Sequence, residues 1–148
     1  MNRLPLALAL IVAFCAGEAA AQRWTEPPRG SVERRALLDA FRPIAEEIFG
    51  SPVEFVVGTM RVSGDVAFVG VEAQRPGGGR IDARRTPGWA RGYFMEDSHH
   101  TSGEALLRRR GGRWQVVDHA FGATDVWWIS RENCAAFRAV IADHCGGG

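Results

Sequence analysis

The pattern of apolar and polar residues predicts a helix near the start of this chain. From Ser31, a good N-cap residue, apolar positions recur at helical spacing until Gly50 and Pro52 stop the pattern. Pro43 lies inside the pattern, so we expect the helix to kink near Ala40 or to divide into two shorter pieces. The apolar positions are Leu37, Leu38, Phe41, Ile44, Ala45, Ile48 and Phe49.

Two pairs of strand-like segments follow. Residues 53–62 and 66–73 are rich in β-branched and aromatic side chains and flank a short polar turn, which predicts a β-hairpin. Residues 104–109 and 114–121, joined through two glycines, predict a second hairpin. Between the hairpins, residues 75–92 are rich in Pro and Gly and predict a long irregular connection.

The last predicted element is a helix over residues 130–144, capped by Ser130. The resulting order of helix, hairpin, loop, hairpin and helix does not alternate single strands with helices. It favours an α+β domain in which an N-terminal and a C-terminal helix pack on one face of a curved antiparallel sheet of about four strands. The apolar face of the last helix carries Cys134, Phe137, Val140 and Ile141.

The first 21 residues predict an export signal. Arg3 supplies a positive start, residues 4–16 are almost wholly apolar, and three alanines precede Gln22. The apolar run of about 13 residues is shorter than the roughly 20 that a membrane-spanning helix needs. We therefore expect a periplasmic or secreted protein without a membrane span. The predicted divisions are a signal peptide (1–21), a flexible lead-in (22–30), one α+β domain (31–145) and a disordered tail (146–148).

The amino-acid composition excludes several classes of active site and of binding partner. All 18 basic side chains are arginine, and the formal net charge is +1. The absence of lysine excludes a Walker phosphate loop, a protein-kinase active site and Schiff-base chemistry. The near-zero charge argues against bulk binding of nucleic acid or of anionic membranes. We predict no cofactor, and we expect any anionic partner to be bound through arginine.

Two cysteines, Cys134 and Cys145, remain after removal of the signal peptide. An even pair in an oxidising compartment predicts a disulfide, yet eleven residues of continuous helix would separate them by about 16 Å, and a bridge needs about 4.4–6.8 Å. Either the helix is shorter than its pattern, or the thiols stay free, or they pair between molecules. The compartment favours an intramolecular bridge. A metal site with His144 lacks the usual close cysteine pair, so we predict no metal.

A group of short stretches carries a family resemblance: residues 36–39, 42–43, 52–57, 64–69, 74–78, 105–109, 111–114 and 122–126. These stretches resemble a family of small secreted proteobacterial proteins of unknown function. The resemblance covers most of residues 36–127 and brings no activity with it. More loosely, the layout is similar to the cystatin and nuclear-transport-factor-like folds, a superfold that includes both enzymes and binding proteins.

Two groups of residues are candidates for acid–base chemistry. Asp118 and His119 lie on the last predicted strand, and enzymes of the nuclear-transport-factor-like superfold often place such a pair inside the cone of the sheet. Neighbouring strand residues face opposite sides, so only one of them can enter it. Asp97 and His99, in the polar segment 96–100, are possible helpers or metal ligands. The alternative for both groups is that they are ordinary strand and loop residues without a functional role.

Two further groups are candidates for binding. The glycine-rich loop that follows the first hairpin is suited to wrapping around an anion or to acting as a mobile connection, and Trp127 and Trp128 would point to opposite sides of an extended segment. One exposed indole would then predict a partner surface, whereas packing of both against the last helix is the alternative. The loop's arginines are Arg75, Arg80, Arg84 and Arg85.

The first functional hypothesis is an exported binding or protein-interaction module without catalytic activity. Its partner would be an envelope protein or a small anionic ligand, not a nucleic acid. The alternative is a small-ligand-binding or acid–base enzyme of the nuclear-transport-factor-like kind that uses Asp118 or His119. A structural envelope protein is a third hypothesis.

Overall fold

The computed structural model describes residues 24–146, so the predicted signal peptide and the last two residues lie outside it. One antiparallel sheet of four strands and three helices confirm the α+β class. The elements are α1 (Val32–Phe49), β1 (Glu54–Ser63), β2 (Val66–Gln74), α2 (Pro87–Ala90), β3 (Ser102–Arg110), β4 (Arg113–Phe121) and α3 (Arg131–Ile141), with single 3-10 turns at Ala83–Arg85 and Trp127–Ile129.

The strands follow one another in the order β1-β2-β3-β4, and both predicted hairpins are confirmed. Each edge strand carries one extra residue. On β1, Gly58 falls between two paired positions, and on β4 Val117 does the same. Such bulges bend a strand and increase its twist.

The two long helices lie on opposite faces of the sheet, which corrects the prediction that both pack on one face. On β2, Ala67 and Val69 belong to the core beneath α1, whereas Val66 and Phe68 pack with α3. Because strand side chains alternate between faces, these pairs point in opposite directions. The β2 segment is apolar at consecutive positions because part of it is buried on both sides.

Helix α1 is one uninterrupted element, so the expected division at Pro43 is wrong. Proline removes one helical hydrogen bond at a cost of about 3 kcal/mol, but its side chain here is exposed. The packing of apolar residues before and after Pro43 against the same core offsets that loss. The buried residues of α1 are Leu37, Phe41, Ala45, Ile48 and Phe49.

The chain folds back after α3, and Cys134 forms a disulfide with Cys145 at a Cα–Cα distance of 5.8 Å. The helix ends at Ile141, before the predicted end at residue 144. Cys145 is buried against the α3 side of the sheet. The favoured intramolecular bridge is confirmed because the helix is shorter than its apolar pattern.

Residues 24–30, assigned from sequence to a flexible lead-in, contact the sheet. The backbones of Thr25 and Val62 exchange two hydrogen bonds of 2.9 Å, and Pro27 is buried. The chain therefore pairs with β1 before the first helix begins. Within residues 24–146, no helix is long and apolar enough to cross a membrane.

Candidate functional site

The largest of the five principal cavities in the described chain is a cleft of about 550 Å³ at one end of the sheet. It lies between the loop that follows β2 and the segment that leads into β3. The cleft brings together Arg80 and His99, which the sequence placed in two separate candidate groups. Its other polar lining side chains include Glu72, Asp82, His100 and Thr101.

The acidic groups of the cleft already accept hydrogen bonds from the protein. Thr101 donates its hydroxyl to Glu72, and Asp82 accepts from the backbone N–H of Arg84 at 3.1 Å. Arg80, in contrast, is exposed and makes no hydrogen bond or ion pair with the rest of residues 24–146. The half-buried His99 has its Nδ1 atom shielded from solvent and without a partner. The guanidinium of Arg80 is therefore a cationic donor in the cleft that the described residues do not use.

The other arginines of this loop have different positions. Arg75 donates to the carbonyls of Phe49, Gly50 and Pro52, so its guanidinium closes the C-terminal end of α1. The guanidinium of Arg84 lies 5.6 Å from the ring centre of Trp89. Arg85 is exposed, and neither it nor Arg84 lines the cleft. Asp97 is also exposed and outside it.

Asp118 and His119 lie on β4 and face opposite sides of the sheet, as strand geometry predicts. The exposed Asp118 accepts a hydrogen bond from Asn133 at 3.4 Å. The half-buried His119 contacts Phe41 of α1, with ring centres 6.3 Å apart, and burial lowers its pKa despite the nearby carboxylate of Asp118. Neither residue lines any of the five principal cavities of residues 24–146.

Trp127 and Trp128 form one 3-10 turn rather than an extended segment, which agrees with the alternative that both pack near the last helix. Both are half-buried, and both contact the core beneath α3. Trp128 packs on Phe68 with ring centres 5.2 Å apart. Trp127 points its indole N–H at Glu104, 3.5 Å away. Neither indole is an exposed surface residue.

The α3 side of the sheet is only half covered, which sequence analysis missed. Beyond Phe68 and Leu106, the strands present a second concave surface of about 320 Å³, which we call the open groove. A signal for it exists in the sequence: His100, Ser102 and Glu104 precede Leu106 at strand spacing, so one face of β3 changes from polar to apolar. The groove is lined by Val56, Gly58, Thr59, Gly70, Val71, Glu72, Ser102 and Glu104.

Glu104 is the half-buried carboxylate of the open groove. Burial raises the pKa of Glu104 above its usual value, although the hydrogen bond from Trp127 and the charge of His100 act in the opposite direction. Within residues 24–146, no three acidic, histidine or cysteine side chains are grouped so that they could hold a metal ion.

No protein-family model, no curated protein and no solved structure significantly matches this chain. A functional assignment therefore depends on the geometry and chemistry of the cleft and the open groove.

Proposed function

We propose that this chain is an exported binding module without catalytic activity, and that its cleft holds a small anionic ligand such as a carboxylate or a phosphate. The observation that carries the proposal is the placement of an uncommitted guanidinium, Arg80, and the half-buried imidazole of His99 in the lining of one cleft.

An anion would bind at the Arg80 side of the cleft, because Arg80 is the one arginine in its lining and forms no ion pair within residues 24–146. The two carboxylates that line it, Glu72 and Asp82, accept hydrogen bonds from the protein itself. The guanidinium of Arg80 presents five N–H donors and stays charged at every physiological pH. A cleft of about 550 Å³ also falls within the range of small-molecule sites.

Export is supported by residues 1–21, which have the composition of a signal peptide, and by the disulfide between Cys134 and Cys145. We do not propose the acid–base enzyme, because neither Asp118 nor His119 lines the cleft. The similarity to the cystatin and nuclear-transport-factor-like folds stays a prediction.

The ligand proposal is tested by calorimetric titration of the mature chain with inorganic phosphate and with acetate. We expect one of these anions to bind with a dissociation constant of about 1 mM or tighter. Arg80→Gln should weaken binding about tenfold or more, because it removes the charge that the anion needs. Arg113→Gln, which changes an exposed arginine at the tip of the second hairpin, is the matched control. Failure of both anions to bind, or equal losses in both variants, would overturn the proposal.

Export is tested separately by intact-mass measurement of the protein from fractionated cells. The expected product starts at Gln22, lies in the periplasm or the medium, and loses two mass units per bridge in non-reducing conditions compared with reducing conditions. A full-length chain that stays with the cytoplasm would contradict export without affecting the ligand proposal.

A further inference from the structure

The open groove lies on the α3 face of the sheet and shares Glu72 with the anion cleft. Its floor includes Gly58 and Gly70, which lie on neighbouring strands and leave the backbone without side-chain cover. Glu104 lies directly across from Gly70, and the half-exposed Val56 forms an apolar part of the lining. The surface is therefore a shallow trough whose charged lining groups are two carboxylates, the half-buried Glu104 and the exposed Glu72.

Glu104 forms no ion pair with an arginine of residues 24–146, although the charge of His100 acts on it. Six carboxylates of residues 24–146 lie within salt-bridge distance of an arginine, and Glu104 is not one of them. Its contact with Trp127, at 3.5 Å, is at the outer limit of a hydrogen bond. A half-buried carboxylate with so little compensation is complementary to a cation from outside the chain.

The same protein shows how an arginine can bridge a carboxylate and an aromatic ring. Glu33 accepts a hydrogen bond from the Trp114 indole at 2.8 Å and forms an ion pair with Arg109, whose guanidinium lies 4.5 Å from the centre of the Trp114 ring. Arg61 repeats the arrangement with a bidentate contact to Asp143 and a position over the ring of Trp24. In both sites an arginine joins the acid to the aromatic ring.

We propose that the open groove is a docking site for an arginine side chain carried by an extended segment of a partner protein. The guanidinium binds the carboxylate of Glu104 and lies against the indole of Trp127, while the backbone of the segment passes over the glycine floor. A planar guanidinium can form a forked contact with a carboxylate and stack on a ring at the same time, which an ammonium group cannot do.

The test uses three blocked tripeptides: Ac-Gly-Arg-Gly-NH2, its citrulline analogue, which has nearly the same shape without the charge, and its lysine analogue, which keeps the charge without the planar guanidinium. Binding is followed by NMR through the indole N–H resonance of Trp127, identified by its loss in Trp127→Phe. We expect the arginine peptide to move this resonance and the citrulline peptide to leave it unchanged. Equal shifts with the arginine and citrulline peptides, no shift with either of them, or equal binding of the lysine peptide would overturn the proposal.

Three variants test whether the arginine peptide binds at Glu104 in the open groove. Glu104→Gln should weaken the arginine peptide about tenfold or more, whereas Glu96→Gln, which neutralises an exposed loop carboxylate, should not change its affinity. Ala120→Arg places a guanidinium on β4 directly across from Glu104 and should block the peptide while leaving the carboxylate in place. Retention of binding by either groove variant, with normal thermal unfolding, would overturn the proposal. Concentration-dependent dimerisation that Glu104→Gln abolishes would instead identify a second copy as the occupant and overturn the assignment to a partner protein.

Discussion

Glu33 and Glu104 each accept a hydrogen bond from a tryptophan indole, yet only Glu33 is also bound by an arginine. Glu33 lies in the first turn of α1, where the partial positive charge of the helix end favours a carboxylate. The end of β3 brings Arg109 to it, so acid, ring and guanidinium are all supplied by the chain. At Glu104 the chain supplies only the acid and the aromatic ring, without a guanidinium.

The difference follows from how each face of the sheet is covered. The 18-residue helix α1 covers the first face, and Glu33 in its first turn pairs with Arg109 at the end of β3. The 11-residue helix α3 covers only the apolar part of the second face, around Phe68 and Leu106. The comparison teaches that this protein pairs its charges where a helix closes the surface and leaves Glu104 unneutralised where the surface stays open.

The largest expected difference between the two sites is in the effect of removing the acid. Glu33→Ala should lower the free energy of unfolding by about 2–3 kcal/mol, because it leaves Arg109 and the buried indole N–H of Trp114 without their acceptor. Glu104→Ala should change it by less than about 0.5 kcal/mol. Urea unfolding followed by tryptophan fluorescence measures both values. Similar losses in the two variants would contradict the distinction between a structural and a free carboxylate.

Removing the indole N–H should also lower the stability more at the Glu33 site than at the Glu104 site, but by a smaller margin than removing the acid. Trp114→Phe loses a 2.8 Å hydrogen bond at a site that is 8% exposed, and we expect a loss of about 1–2 kcal/mol. Trp127→Phe loses only the 3.5 Å contact and should cost less than about 1 kcal/mol. Thermal unfolding of both variants alongside the parent protein checks the order, and a larger loss at Trp127 would reverse the comparison.

An arginine introduced beside Glu104 within the chain should stabilise the protein slightly. In Ala120→Arg, a guanidinium on β4 lies opposite Glu104, and cross-strand pairs of opposite charge contribute about 0.2–1 kcal/mol. Ala120→Gln has a similar polar side chain without the charge and serves as the control. The gain should decrease in high salt, because screening weakens a partly exposed ion pair. A gain of equal size in Ala120→Gln would show that charge is not its cause.

The smallest expected effect is in the pH dependence of stability. Because burial raises the pKa of Glu104 above 4.5, the folded state holds that proton to higher pH than the unfolded chain does. The resulting stability is complete below about pH 4.5 and is lost as pH rises through the folded-state pKa. Glu104→Gln should therefore equal the parent protein at low pH and exceed it in stability near pH 7. Because His100 and Glu72 face the same surface, the measurement is repeated in a His100→Gln background. A stability gain of the Glu104 variant that grows towards low pH would contradict the prediction.

Much of the fold follows from local pattern. The apolar period from Leu37 to Phe49 predicts α1, and alternation around two short turns predicts both hairpins, because these elements are selected by neighbouring residues. The effect of Pro43 was not predictable locally, since packing on both sides of it decides whether the helix continues. The conformation of Trp127 and Trp128 likewise depends on the core formed by Phe68 and α3.

The residues of the candidate sites were likewise predictable in part from the sequence and in part only from the fold. Sequence analysis selected Arg80 and His99 as polar loop residues, but only the folded chain brings them into one cleft. It also grouped Arg75 with Arg80, although the end of α1 occupies the guanidinium of Arg75 through three carbonyl groups. Glu104 was missed altogether, because its environment depends on where α3 ends.

The sequence alone determined the helix-hairpin-hairpin-helix order, the absence of lysine chemistry and the compartment-based expectation that Cys134 pairs with Cys145, because these depend on residue type and on near neighbours. The tertiary structure decided which face each helix covers, which arginines are occupied and that Glu104 has no arginine partner within residues 24–146. These outcomes depend on contacts between residues far apart in the chain, where the length of α3 and the alternation of strand side chains determine what is enclosed and what is left open.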